Sequence, residues 1–286
     1  MKGLKNLCEK IDMPDEVSGA VIAFSVEYDF GSLRDSMGRL FFRKTWEGGL
    51  SELKDALGED THGVKILTCM LLCALRTAEN YKRLGIGEEI YIDTMKCFSR
   101  FVREHKESYG IYGFDREWWT ARQISGQLLR IGELEYEMVE EDEKKYISIH
   151  IPSDAVLKEA RIQSSYQAAK RLFEEVFTDY ASAEMVCHSW LLSPTLKELL
   201  KEGSHILAFQ RLFDIEPTGQ EETEYMQWVF KNPDLPLGEL PEQASLQREL
   251  KRYLLEGNTV AGAGGRLLEN LISSSCGNEG SGICGE

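Results

Sequence analysis

The sequence predicts an all-helical N-terminal domain followed by an α+β domain, of α/β character at its centre, whose mixed sheet holds a central parallel strand pair. Three observations predict it. Up to about residue 108 the apolar residues recur at helical spacing, with no sustained strand-like alternation. From residue 128 to 151 the pattern changes to short β-rich runs bounded by turn residues. One long amphipathic segment, 155–177, then separates two such runs, the length of chain that a parallel connection requires.

Taken in order, Val17, Ala20, Val21, Phe24 and Tyr28 form a first helical stripe. Leu33, Met37, Leu40 and Phe41 form a second, and Leu50, Leu53 and Leu57 a third that Gly58 closes. Each stripe needs a partner to cover it, so these helices belong to a bundle. Residues 66–84 are apolar on most sides and predict its central helix. A last helix over 90–105 follows Gly85-Ile86-Gly87. Residues 109–120 supply turn residues and aromatics, and the domain boundary is set at 112/113.

Beyond it, runs 128–131, 134–139 and 146–151 predict an antiparallel meander, interrupted by Gly132-Glu133 and by the acidic turn 140–143. Segment 155–177 predicts the crossover helix, with Val156, Leu157, Ala160, Tyr166, Ala169, Leu172, Phe173 and Phe177 on its apolar side. A strand over 184–192, a short helix over 194–201 opened by Pro194, strands over 206–215 and 225–230, and a helix over 240–255 complete the order. The strands ending at Ile151 and Leu192 should then be parallel neighbours, with their carboxyl ends facing one crevice. Residues 257–286 carry eight glycines and a Ser-rich end that reads as a flexible tail. The run Gly262-Ala263-Gly264-Gly265 follows a helix and has little chain after it, so it reads as a terminal turn rather than a phosphate cradle. The domains are therefore 1–112, 113–265 and a Gly/Ser-rich tail over 266–286.

Composition narrows the function classes. Lys plus Arg is 33 against 48 for Asp plus Glu, a net charge of -15, which disfavours nucleic acid and anionic membranes as partners. The longest apolar stretch, 66–75, is half of the roughly 20 residues a membrane helix needs. No apolar targeting segment opens the chain, and the seven cysteines lie scattered in apolar segments, as reduced thiols do, so a cytoplasmic protein is expected. Cys69 and Cys73 stand four apart, but His62 is the one imidazole near them in sequence; buried thiols, and no metal, are expected. Neither a Gly-x-Ser-x-Gly elbow, a Walker loop nor a His-Glu-x-x-His helix occurs.

Specific strings go further. Leu128-Leu129-Arg130-Ile131-Gly132-Glu133-Leu134-Glu135-Tyr136-Glu137, Ile149-His150-Ile151-Pro152, Cys187-His188-Ser189-Trp190-Leu191-Leu192 and Leu246-Gln247-Arg248 resemble a family of bacterial acyltransferase-domain proteins over roughly residues 1–265. That family joins a helical N-acyltransferase domain to a GNAT-like C-terminal domain. The resemblance implies transfer of an acyl group from acetyl-CoA or another acyl-CoA to a small-molecule amine, with the CoA wedged between two diverging parallel strands. It places cofactor contacts at Ile151, Ser153 and Asp154 on the strand–helix junction and at Ser189, and it leaves a homodimer open. One departure stands out: the junction Ile151-Pro152-Ser153-Asp154-Ala155-Val156 holds no glycine where GNAT enzymes place a Gly-rich pyrophosphate loop. Asp154 or Ser153 would cap an ordinary helix there. The alternative reading is accordingly a non-catalytic small-molecule-binding or interaction protein on a GNAT-like frame.

Strand alternation puts Tyr146, Ser148 and His150 on one face and Ile147, Ile149 and Ile151 on the other. His150 thus lies on a polar face near the carboxyl end, where open sheets bind ligands and a neutral imidazole can accept a proton from an amine. Its other reading is a tie from the turn at Pro152 to a neighbouring carbonyl. His188 shares a face with Val186, Trp190 and Leu192. It either meets His150 while Ser189 or a backbone N–H holds the thioester oxygen, or is a hydrogen-bonded core residue. Cys187 points the opposite way and makes no dyad with it. Glu133, Glu135 and Glu137 share a face, normally a solvated one, from which Glu135 would serve as base or amine anchor if a cleft covered it. Trp119 and Arg122, with Trp118, and also Trp190, either line the acceptor site or pack as aromatics.

Overall fold

The apolar stripes of the first half close into helices in the computed structural model, which describes residues 2–232 and 234–273. In chain order these are α1 (Lys2–Lys10), α2 (Asp15–Glu27), α3 (Arg34–Arg39), α4 (Trp46–Leu57), α5 (Val64–Leu84), α6 (Glu88–Tyr109) and α7 (Glu117–Ile124), followed by a strand β1 (Leu128–Ile131). They form one unit, Met1–Ile131, and the second unit is Gly132–Glu286. Helix α5 is the expected centre: Ile66, Leu67, Cys69, Met70, Leu71, Cys73 and Ala74 are all buried. Two buried hydroxyls tie it to the rest of the unit. Thr77 Oγ1 donates to Ile124 O (2.7 Å), and the Tyr91 hydroxyl donates to Ala74 O (2.9 Å). Helix α5 begins at Gly63 (φ 68°), where a Cβ would come within 2.0 Å of Phe114 O, so only glycine allows that approach.

The second unit contains β2 (Leu134–Glu141), β3 (Lys144–His150), α8 (Glu159–Glu175), β4 (Glu184–His188), α9 (Leu196–Leu199), α10 (His205–Gln210), β5 (Phe213–Glu221), α11 (Tyr225–Phe230), α12 (Ser245–Leu255), β6 (Ala261–Leu267) and α13 (Glu269–Ser273). Its strands lie in the order β2-β3-β4-β6-β5. The β2–β3 hairpin turns on Asp142 (φ 48°) and Glu143 (φ 65°), left-handed at both positions as a two-residue hairpin turn requires. β3 and β4 pair in parallel, as the crossover predicted, while β2–β3, β4–β6 and β5–β6 are antiparallel.

Register assigns every strand residue to a face. One face carries Tyr136, Met138, Ile147, Ile149, Met185, Cys187, Ala263, Leu267 and Phe213, and α8 buries Ile162, Tyr166, Ala169 and Phe173. The helix meets this face through Phe173, whose ring lies 6.4 Å from that of Tyr136, and through Ser165, whose Oγ is 3.0 Å from the Tyr136 hydroxyl and accepts from Leu134 N (3.3 Å). A second cluster, Trp190, Leu196, Leu199, Tyr225, Phe230, Leu240, Leu250, Leu254 and Val260, gathers the short helices.

The structure corrects five expectations. Residues 206–210 are helical because Ser204 Oγ accepts from Ile206 N (3.3 Å) and caps α10; the strand begins only at Phe213. Residues 225–230 are a helix too: the Glu222 carboxylate accepts from Thr223 N (2.8 Å) and Glu224 N (2.7 Å), and Tyr225 and Phe230 are buried in the second cluster. Burial there outweighs the β preference of aromatic and β-branched residues. The strand predicted over 184–192 stops at His188 and turns through one 3₁₀ turn, Trp190–Leu192. The crossover helix begins at Glu159 rather than 155, so neither Ser153 nor Asp154 is its cap. Finally, Gly262 to Gly265 are not a terminal turn but part of β6, held between β4 and β5. The rest of the predicted tail, residues 274–286, lies outside the described residues.

Candidate active site

β3 and β4 stop pairing before either strand ends. Their parallel ladder runs Tyr146↔Glu184, Ile147↔Met185 and Ser148↔Val186, and ends there. Yet β3 continues to pair with β2 as far as His150, and β4 with β6 as far as His188. The carboxyl ends of two parallel strands are thus each held by an outer neighbour but not by one another. A ligand amide or thioester can enter such a gap and meet backbone N–H and C=O groups.

The face of the sheet opposite α8 carries Glu135 and Glu137 on β2, Ser148 and His150 on β3, Val186 and His188 on β4, Gly264 and Arg266 on β6, and Asp214 and Glu216 on β5. The two histidines therefore share a face on adjacent strands. His150 Nε2 lies 2.9 Å from Glu137 Oε2. Glu137 is only 4% exposed and Glu135 only 2%, so their face is covered rather than solvated, while Glu133 precedes β2 and is not part of its ladder. The His150 side chain keeps 23% of its surface open. Glu224, before α11, also senses the site: partial desolvation and Glu222 raise its carboxyl, while His150 lowers it.

His188 leans toward β6. A Cβ on Gly264 would stand 2.6 Å from His188 Cδ2 and 2.8 Å from Nε2, so the imidazole occupies the space that the glycine leaves. Ser189 is committed to the turn after β4, where its Oγ accepts from Leu191 N (3.2 Å). Trp190 is a core residue of the second cluster, because β4 ends before it and the predicted face with His188 does not extend that far. Cys187 lies on the apolar face, where burial pushes its thiol up to about 12.

The junction after β3 is a turn. Ala155 N donates to Pro152 O (2.9 Å), Val156 N donates to Glu133 Oε2 (2.7 Å), and Arg161 reaches Glu133 Oε1 (2.9 Å). Ser153 and Asp154 are exposed on it and Ile151 is half-buried. Lys158 stands at the N-cap of α8, so Lys158, Glu159 and the Glu133-paired Arg161, rather than Asp154, flank the first-turn N–H groups of that helix. Trp119 and Arg122 belong to α7 in the first unit. The Arg122 guanidinium lies 4.4 Å from the Trp119 ring and 5.5 Å from the Trp46 ring, and Nη1 donates to Trp118 O (3.3 Å).

Sequence reasoning placed His150, His188 and Glu135 on this face but passed over Glu137 as a partner. Its signal is the hairpin register: Glu141↔Lys144 fixes Glu135↔His150 and Glu137↔Ser148, leaving Glu137 one diagonal step from His150. Among the described residues no group of three or more His, Cys, Asp or Glu could hold a metal ion. No helix among them is long and apolar enough to cross a membrane.

Comparison with known proteins matches residues 2–126 to the family described as N-acyltransferase N-terminal domain and residues 128–267 to the GNAT-like C-terminal domain. No curated protein matches. Among solved structures, an acyltransferase in complex with decanoyl-CoA and teicoplanin is 21% identical, with TM-score 0.75, covering 92% of this chain and 87% of that one. An acyltransferase variant in complex with octanoyl-CoA is 20% identical, with TM-score 0.78, covering 93% and 88%. An acyltransferase in complex with CoA and 10C-teicoplanin is 20% identical, with TM-score 0.75, covering 90% and 86%. At such identity the likeness is one of fold.

Proposed function

We propose, from the premise that this chain belongs to the proteins that join an N-acyltransferase N-terminal domain to a GNAT-like C-terminal domain, that it transfers an acyl group from acyl-CoA to an amine. One observation carries the reading: the parallel β3–β4 ladder ends at Ser148↔Val186 while both strands run on. The gap accepts the extended amide-bearing arm of CoA as a strand-like guest and brings the thioester toward the polar face. The solved structures of like fold hold CoA, octanoyl-CoA or decanoyl-CoA, which supports that donor class.

The chain's own groups fit the donor in part. The N-terminal N–H groups of α8, with Lys158 before them, would face a diphosphate just beyond β3 in place of a glycine loop, offset in part by Glu159 in the same turn and by Glu133, which pairs with Arg161. Contacts from Ile151, Ser153 and Asp154 remain part of the proposal; Trp190 is taken up by the core of the second unit, and Trp119 and Arg122 belong to the first. In the reaction the neutral amine attacks the thioester carbonyl carbon, the C–N bond forms and the C–S bond breaks with its electron pair on sulfur. The proton shed by nitrogen passes to His150 and from the imidazolium to the thiolate, leaving an amide and free CoA thiol. His188 and Glu135 are the remaining candidates for contact with the reacting groups, and a backbone N–H at the strand gap or Ser189 for the carbonyl oxygen. The acceptor is a small molecule; a cytosolic location and a homodimer complete the proposal, and light scattering tests the latter.

The test is calorimetric titration with acetyl-CoA, a longer acyl-CoA and free CoA, followed by a thiol-release assay over a panel of amines. Micromolar binding, about -8 kcal/mol, is expected, with turnover lowered roughly 10²–10⁴-fold in His150→Ala at unchanged thermal stability. The glycine-free junction favours a second reading, a non-catalytic binding protein on the same frame. Absence of binding to all three CoA species would decide for it.

A further inference from the structure

We infer that Glu137 is the positioning residue of this site: its carboxylate holds the His150 imidazole with the ring proton on Nε2, which makes Nδ1 the atom that takes the proton from the amine. The catalytic consequence rests on the acyl-transfer reading above; the tautomer itself does not.

An ionised carboxylate only accepts hydrogen bonds, so with Glu137 ionised the Nε2 atom, 2.9 Å from Glu137 Oε2, bears the hydrogen, and the neutral ring then carries its lone pair on Nδ1. Burial adds direction. Glu137 is 4% exposed while the His150 side chain is 23% open, so the ring is anchored on its covered side and offers the remainder to the cleft. The anchoring is rigid, because both residues sit on paired strands whose ladder runs unbroken from Glu135↔His150 to Glu141↔Lys144. Ser148, small and directly opposite Glu137, leaves the diagonal clear for the ring to reach back.

Glu135 faces His150 directly across the ladder, and the 2.9 Å contact with Glu137 runs on the diagonal. When the amine proton arrives on Nδ1, the imidazolium forms beside a buried negative charge already bonded to it. That placement favours the charged intermediate and prevents the ring from turning its protonated nitrogen toward the substrate.

The experiment combines a spectroscopic signature with a kinetic split. Long-range ¹H–¹⁵N correlation of imidazole nitrogens at a pH where His150 is neutral should show the Nε2–H form in the wild-type chain. Glu137→Gln preserves shape but presents an amide that can either accept from or donate to Nε2. It should give a mixture of tautomers and lower kcat roughly 10²–10⁴-fold, with KM for acyl-CoA within about twofold. Glu137→Asp, one methylene shorter, should recover part of both signals. A wild-type ring protonated on Nδ1, or a Glu137→Gln chain that keeps both its tautomer and its kcat, would overturn the inference. A tautomer that shifts as expected in a chain that turns over no acyl-CoA would instead overturn the acyl-transfer reading and leave the positioning intact.

Discussion

Gly264 and His188 illustrate control by a single missing atom. With a Cβ of residue 264 placed 2.6 Å from the imidazole, a valine there must push the ring off β6. Gly264→Val should lower stability by about 1–3 kcal/mol in urea titration and move the His188 ring resonances. An unchanged midpoint together with unchanged resonances would show that the ring does not rest on the glycine. The glutamates teach a related lesson. The face shared by Glu135 and Glu137 is legible from spacing alone, but its burial is not, because the exposure of a strand face depends on what other elements lay over it; Glu133, which the same alternation adds to that face, precedes β2 and turns to Val156 N and Arg161. Glu135 therefore stands out to sequence reasoning as a lone candidate, while the pairing that matters, Glu137 with His150, needs the hairpin register to be seen.

Among the elements, length and amphipathicity decide what can be read. Helices α5, α6 and α8 are long enough for their period to show, and the segments over 66–84, 90–105 and 155–177 anticipate them. Helices α10 and α11 are six residues each, too short for period to separate helix from strand, and their starts depend on the Ser204 hydroxyl and the Glu222 carboxylate. The apolar side of α8 is the main cover of the sheet. Phe173→Ala, at 1% exposure against Tyr136, should cost about 3–5 kcal/mol and broaden the tyrosine's near-UV signal. The cysteines of α5 offer a second check. Burial, with a smaller contribution from the Asp60 charge, pushes Cys69 up to about 12. Burial, with Cys69 beside it, does the same for Cys73, and burial alone for Cys187 on β4. At pH 8 the thiolate fraction of each is on the order of 10⁻⁴, so native-state labelling read by mass spectrometry should leave all three unmodified until denaturant is added. Rapid labelling of Cys73 in the native protein would contradict the packing of α5.

On the scale of the whole molecule, the largest departure from expectation is that the run Gly262 to Gly265 completes the sheet. β6 lies between β4 and β5, so a chain ending at Gly257 lacks the strand that joins them. Such a truncation should lose the cooperative unfolding transition of the second unit, and a retained transition would mean that β4 and β5 close without it. Gly262, Gly264 and Gly265 have low strand preference, and nothing in their local pattern announces a strand. A Cβ would stand 2.6 Å from Thr218 Oγ1 at Gly262 and 2.6 Å from the His188 ring at Gly264, and would be tightly packed by Phe213 and Leu192 at Gly265.

By itself the sequence determined the helical first half, the meander, the crossover helix with its parallel strand pair, and the sharing of one strand face by His150 with polar neighbours. These rest on periodicity and connection length, which are local properties of the chain. Tertiary structure alone decided that the strand pair parts after Ser148 and Val186, that Glu137 is the carboxylate bonded to His150, that Trp190 turns into the core, and that the glycine run becomes an inner strand. Each depends on which residues meet across large separations in the chain, where space, register and burial outweigh local preference.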